Sequence, residues 1–276
     1  MQVRQLISEM NWASRMGLLV VSGFAFCAIF APWLAPYGQS EIVGDVWEPL
    51  FGKFFFGTDQ IGRDMLSMLI YGARNMIGLA LLTTGCAFGL GSLLGFLAAT
   101  MGGWADQVLS RFVDVVISIP TLIFALIVLS STGTSIFALV TVIAIIYAMP
   151  VYRIARAVAM DIEVMEYVEA ARLRGEGLWW IMRKEILPNA LTPLAAEFGL
   201  RFCFVFLLIS GLSFLGLGLQ PPLADWGAMV RDNGGGIAWG FMHPLVPATC
   251  IALLTIGINL MVDSAVQKAS GLREDH

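Results

Sequence analysis

Charge is what this sequence has least of. Asp, Glu, Lys and Arg make up 13% of its 276 residues, apolar residues make up 58%, and mean hydropathy is +0.80. A water-soluble domain carries about a quarter charged residues, so the composition excludes one and reads as an integral membrane protein. Histidine is nearly missing: His243 and His276 are the two, and no Cys/His cluster accompanies them. Cys27, Cys86, Cys203 and Cys250 stand far apart in or beside apolar runs. That excludes paired metal-ligand spacing and leaves small buried hydrophobes. G-x-x-x-x-G-K-[ST], H-E-x-x-H and G-x-S-x-G are all absent, so the chain has neither a phosphate-cradling loop nor a common hydrolase frame. An acidic pI and a net charge of −4 argue against nucleic acid as a partner.

What is present is a series of charge-poor stretches of roughly 17 to 25 residues, long enough to cross a hydrocarbon core of about 30 Å. They must be helices, because an isolated strand cannot satisfy its backbone in lipid. Six are expected, from about Gly17 to Leu34, Met76 to Thr100, Val113 to Ser131, Ile136 to Tyr152, Leu191 to Leu217 and Pro244 to Val262. The layout is an all-α membrane protein with a six-helix domain over 17–266, a leading segment 1–16 and a tail 267–276. Loops fall at 35–75, 153–190 and 218–243. An even number of spans puts both termini on one side. Arg4, Arg15, Arg111, Arg153, Arg156, Arg172, Arg174, Arg183, Lys184, Arg201, Lys268 and Arg273 then share a face, against Lys53, Arg63, Arg74 and Arg231. Cytoplasmic loops retain Lys and Arg, so the termini and the 153–190 loop are expected in the cytoplasm. Arg4 and Arg15 imitate the start of a signal peptide, but Pro32 after Ala31 is a poor cleavage context, and the first span is kept as a helix.

Secondary carriers and pumps keep ionisable groups deep in their spans. Here the deep positions are nearly charge-free. Glu197 and Arg201 are the exception, spaced to pair on one helix face, as a structural couple or as a gating contact. Gly85 and Gly89, then Gly91 and Gly95, recur at spacing four and permit close helix contact. The loops at 35–75 and 218–243 carry Gly57-Thr58-Asp59-Gln60-Ile61-Gly62-Arg63-Asp64, Gln220-Pro221-Pro222 and Asp225-Trp226-Gly227, and read as turn-rich caps. Trp226 and Trp239 suit a membrane interface.

The 153–190 loop is the polar island. In it Asp161, Glu163, Glu166 and Glu169 precede Arg172, Arg174, Arg183 and Lys184, an order that complements the dipole of a short helix. Ala170 and Ala171 favour that helix without adding bulk, so it could enter a groove. Gly175 and Gly177 end it. A second amphipathic segment, Leu178 to Leu187, then folds back with Trp179, Trp180, Ile181, Ile186 and Leu187 on lipid or on the bundle. Pro188 and Pro193 mark re-entry as the fifth helix. A solvated amphipathic loop has the same composition, so these residues alone leave both readings open.

The run Glu169-Ala170-Ala171, then Gly175, then Leu187-Pro188-Asn189 resembles the EAA loop of binding-protein-dependent ABC importer permeases. Gly57 through Asp64 with Tyr71-Gly72-Ala73-Arg74, and Ser213-Phe214-Leu215-Gly216-Leu217-Gly218 continuing through Pro221-Pro222 to Asp225-Trp226-Gly227, are similar to the second permease subunit of dipeptide, oligopeptide and nickel importers. The resemblance runs from Gly57 to Gly227. One departure is Glu185, three before Pro188, where this group commonly has His.

The resemblance implies a type I ABC importer permease fold in a bacterial inner membrane, surrounded by lipid. The translocation path would be shared with a second homologous permease subunit. Two ATP-binding subunits would sit on the cytoplasmic side and a solute-binding protein outside. ATP and Mg would be bound by those partners, so this chain would hold no cofactor or metal and would be no enzyme by itself. On the same resemblance Glu169 contacts the ATPase, Ala170 and Ala171 permit the fit, Gly175 forms the turn, and Leu187 and Pro188 complete the motif. Asp59, Arg63, Asp64, Asp225 and Trp226 either dock the binding protein or build the outer loops. Dipeptides or oligopeptides head the expected cargoes, with opines or chelated nickel as alternatives. So few His and carboxylates disfavour a naked transition metal. A stand-alone channel, a secondary carrier and a membrane anchor are the rivals from other classes.

Overall fold

A computed structural model describes residues 11–270, with side chains through Ser264. Arg4, Arg273 and His276 lie outside the described residues, as does the side chain of Lys268. The described residues form helices α1 (Trp12–Ile29), α2 (Ala31–Leu34), α3 (Met65–Met101), α4 (Gly103–Ser118), α5 (Thr121–Thr132), α6 (Ile136–Glu163), α7 (Glu166–Leu173), α8 (Leu178–Phe214), α9 (Trp226–Asn233) and α10 (Leu245–Ser270). Among them there is no strand, only the isolated antiparallel bridges Ile42–Arg63 and Thr58–Asp64. The fold is all-α.

Helices α1, α3, α6, α8 and α10 are each long and apolar enough to cross a membrane. The third expected span, Val113 to Ser131, is not one straight helix. Pro120 lacks an N–H and pushes Ile119 into extended backbone, so α4 stops at Ser118, α5 restarts at Thr121, and the two bend by 88°. Counted as one broken span, this pair is the sixth.

Two spans begin earlier than their hydropathy signals. Asp64 caps α3 by accepting from the Ser67 N–H at 2.8 Å and the Ser67 hydroxyl at 2.6 Å, so the helix starts inside the segment assigned to the first loop. Its 37 residues, about 55 Å long at roughly 1.5 Å per residue, exceed the hydrocarbon core and carry the helix beyond it. Helix α8 likewise starts at Leu178 and runs unbroken past Pro188, so Leu178 to Leu187 is no separate fold-back segment. A π-turn over Met182–Ile186 makes this continuity work. The Leu187 N–H reaches the Met182 carbonyl five residues back, widening the helix where the Pro188 ring would otherwise crowd the backbone.

Helices α3 and α6 pack along most of their length as the central pair. A Cβ on Gly91 would lie 2.5 Å from the Ala148 carbonyl oxygen, and one on Gly95 would lie 2.8 Å from both the Arg156 nitrogen and the Tyr152 carbonyl oxygen. Gly85 and Gly89, on the other half of the small-residue stripe, face open space. One apolar core fills the end where α3 begins, centred on Met76, Phe206, Ile209, Leu212 and Trp226. A second lies at the opposite end, where Phe96, Ala155, Ala159 and Ile162 meet Val168, Ile181, Met182, Ile186 and Leu194.

Candidate functional site

The short helix α7 is built from both termini inward. Glu166 and Glu169 occupy its first turn and Arg172 its last, the order that a helix dipole favours. It ends in a Schellman turn. The Gly175 N–H donates to the Arg172 carbonyl at 2.9 Å, and the Glu176 N–H donates to the Ala171 carbonyl at 3.2 Å. That closure requires a left-handed residue, and Gly175 supplies it with φ +83°.

The two faces of α7 differ sharply. Val168 and Ala171 are fully buried, and Val168 joins the second apolar core, which α3, α6 and α8 share. Glu169 and Ala170 are exposed, and Val164 and Leu173 beside them are 82% and 84% exposed. The two alanines therefore part. Ala171 has no surface to offer a partner, and of the two Ala170 alone lies on the open face. Gly175, Leu187 and Pro188 are exposed, and Glu185 is half-buried with its carbonyl accepting from Asn189 Nδ2 at 2.6 Å. Trp180, Ile181 and Ile186 pack into the second core, whereas Trp179 is 69% exposed.

Cross-element ion pairs were not legible from spacing. Glu163, at the end of α6, meets Arg172 of α7. Arg153 and Arg156, also on α6, meet Asp114 and Asp106 of α4, with Tyr152 and Ser110 hydroxyls 2.9 Å apart between them. Val168 was missed too. Its spacing of three from Ala171, with Glu169 between, was the signal for a buried stripe on α7.

At the opposite end the loop residues form a closed cap. Asp59 is 1% exposed and accepts from the Ile61 and Arg63 N–H groups at 3.0 and 2.9 Å, while Arg63 Nε donates to its other oxygen at 2.6 Å. Asp225 caps α9 by accepting from the Gly227 and Ala228 N–H groups, and also accepts from the Ser213 hydroxyl at 2.6 Å and the Leu219 N–H. Burial pushes its carboxyl above the usual range, and these hydrogen bonds pull the other way. Asn233 ties the two loops by accepting from Trp47 Nε1 at 3.3 Å and the Gln60 N–H at 3.1 Å.

Trp226 is not at an interface. It is 1% exposed, donates from Nε1 to the Leu69 carbonyl at 3.0 Å, and meets Phe24 and Phe206 edge-on with ring centroids 5.4 and 6.1 Å away. It fits because residue 72 is glycine: a Cβ there would lie 2.5 Å from the indole. The Asx cap at Asp225 aims the ring inward, which hydropathy cannot register. Trp239 is 77% exposed. Asp59, Asp64, Asp225 and Trp226 thus spend their side chains on the cap itself. Within α8, Glu197 and Arg201 pair with each other, and Arg201 lies 5.6 Å from the Phe204 ring centroid.

A self-capped membrane bundle with one short helix presented at its end has relatives. Residues 91–269 match the binding-protein-dependent transport system inner membrane component family. The chain belongs to this family. The permease is 36% identical over 255 residues to the di/tripeptide transport system permease protein DppC of Pseudomonas aeruginosa (strain UCBPP-PA14), covering 90% of this chain and 84% of that one. It is 35% identical over 239 residues to the probable D,D-dipeptide transport system permease protein DdpC of Escherichia coli (strain K12), covering 85% and 79%. It is 29% identical over 250 residues to the glutathione transport system permease protein GsiD of Pectobacterium atrosepticum, covering 90% and 82%. A crystal structure of an amino acid ABC transporter with histidines matches 73% of the permease and 96% of that chain at 23% identity, with a TM-score of 0.48. The permease is a multi-pass inner-membrane transport component.

Proposed function

We propose that this permease imports peptides, driven by ATP that it does not itself bind. It shares a translocation path with a second homologous permease. Two ATP-binding subunits, which hold the ATP and Mg, dock at the α7 end in the cytoplasm, and a solute-binding protein docks at the cap outside. The excess of Lys and Arg at the α7 end supports this orientation, with both termini inside.

The observation that carries the reading is the split character of α7. One face is locked into the core shared by α3, α6 and α8 through Val168, and the other presents Glu169, Ala170 and Leu173 without a partner among the described residues. A body pressing on the open face must move those three helices with it. ATP can drive alternation only if the ATP-binding subunits meet α7 differently in their two states, since a ligand shifts an equilibrium only through differential affinity. Peptide cargo rests on the relatives, whose names specify di- and tripeptides, D,D-dipeptides and glutathione.

Two measurements test the proposal. Co-purification of the solubilised permease should bring down the ATP-binding subunits, and Glu169→Arg should abolish both that capture and uptake; unchanged uptake would sink the coupling role. Screening the partner binding protein against peptides, opines and metal chelates should return a peptide. A chelate or opine as the tight ligand would replace the cargo assignment.

A further inference from the structure

We infer that the ion pair between Glu163 and Arg172 is the positioning link through which α7 moves α6, so that these two residues set how much solute each ATP turnover carries. The inference rests on the reading of α7 as the docking surface for the ATP-binding subunits.

Glu163 is the last residue of α6, and only Val164 and Met165 separate it from α7. Met165 is extended, so the two helices meet at a joint rather than as one rod. The apolar contacts of Val168 hold α7 against the second core, but hydrophobic contact is non-directional and tolerates sliding. The ion pair fixes register. Glu163 is 13% exposed at its side chain; its Oε1 meets Arg172, and among the described residues neither of its two buried oxygens has another polar partner. Losing Arg172 would strand a buried carboxylate without compensation, a state the fold avoids by keeping the pair closed. Arg172 is 49% exposed, so it faces both the buried acid and the surface a docked subunit would press.

Beyond Glu163 the path stiffens. Helix α6 meets α3 where Gly91 and Gly95 leave no room for even a methyl group, so displacement of α6 must carry α3. Arg153 and Arg156 pin α4 to the same stretch through Asp114 and Asp106. A push on α7 is thereby delivered to three helices, with the Glu163–Arg172 contact as its first polar step.

The test uses the complete transporter in proteoliposomes: both permeases, the ATP-binding subunits and the binding protein, with labelled dialanine as probe. Retained ATP-binding subunits, ATP hydrolysis and peptide imported per ATP are read separately. Glu163→Gln and Arg172→Gln should each keep the subunits bound and hydrolysis within about twofold, while import per ATP falls about five- to tenfold, the low end of the range for a coupling interaction. Because one link is cut either way, the double variant should fall no further, and Arg172→Lys should retain most of the coupling. Arg172 is half-exposed, so Arg172→Gln still decides the question where Glu163→Gln does not assemble. Wild-type import per ATP in Arg172→Gln would overturn the inference, and so would losses that multiply in the double variant. Shedding of the ATP-binding subunits by Arg172→Gln would also overturn it, by making Arg172 a docking contact. Failure of the underlying reading looks different: Glu169→Arg would then retain both capture and import.

Discussion

At the scale of single residues, the acids of the cap loops are spent on structure, whereas Glu169 of α7 is left exposed. Asp59, Asp64 and Asp225 look alike in the sequence, as acids in Gly-rich loops. Each spends its oxygens on backbone N–H groups and a neighbouring side chain, and each is 3% exposed or less. Glu169 has no such partner among the described residues and stays in the open. Trp226 belongs with the first group. Trp226→Ala should destabilise the permease by about 3–5 kcal/mol, through the emptied core and the unpaired Leu69 carbonyl. Thermal denaturation in detergent would measure this, and the same substitution at exposed Trp239 should shift the midpoint little. A small effect at Trp226 would mean that the cap is not anchored there.

Elements separate what residue type alone merges. Ala170 and Ala171 are adjacent and chemically identical, yet α7 turns one outward and buries the other. Ala171→Leu should lower stability by about 1–3 kcal/mol even in the isolated permease, since the added volume has no space. Ala170→Leu should leave the isolated permease unchanged and weaken capture of the ATP-binding subunits. Equal effects of the two on the isolated protein would contradict the orientation of α7. The glycine stripe of α3 divides the same way. Gly91→Ala puts a methyl against the Ala148 carbonyl and should destabilise by about 1–3 kcal/mol. Gly89→Ala meets open space and should be neutral or stabilising by up to about 1 kcal/mol, from helix propensity. Comparing their unfolding midpoints checks the α3–α6 packing directly.

For the whole molecule, the scarcity of charge within the spans becomes a statement about energy supply. Glu197 and Arg201 neutralise each other on α8, so they leave no free pair to relay protons. Transport should therefore stop when ATP is withdrawn from the reconstituted complex and continue when the proton gradient is collapsed. Uptake by the permease alone, driven by a gradient, would return the molecule to the class of secondary carriers. The central α3–α6 pair also bears on dynamics. Packed at Gly91 and Gly95, it is suited to move as a unit, with the 88° bend at Pro120 as a place where the bundle departs from straight rods.

The all-α class, the apolar spans and the polar island followed from the sequence, because lipid enforces hydrogen bonding within each helix and length within a narrow range. The ends of α3 and α8, the break at Pro120 and the inward turn of Trp226 did not. Hydropathy averages over a window, whereas a cap at Asp64, a π-turn before Pro188 and a glycine opposite an indole each act at a single position. Motif residues were legible as a group, but their division into Ala170 outside and Ala171 inside needed the neighbouring helices. The Glu163–Arg172 contact lies at the same limit. Local spacing names pairs within one helix, and only the packing of α7 on α6 decides which charges meet across the joint.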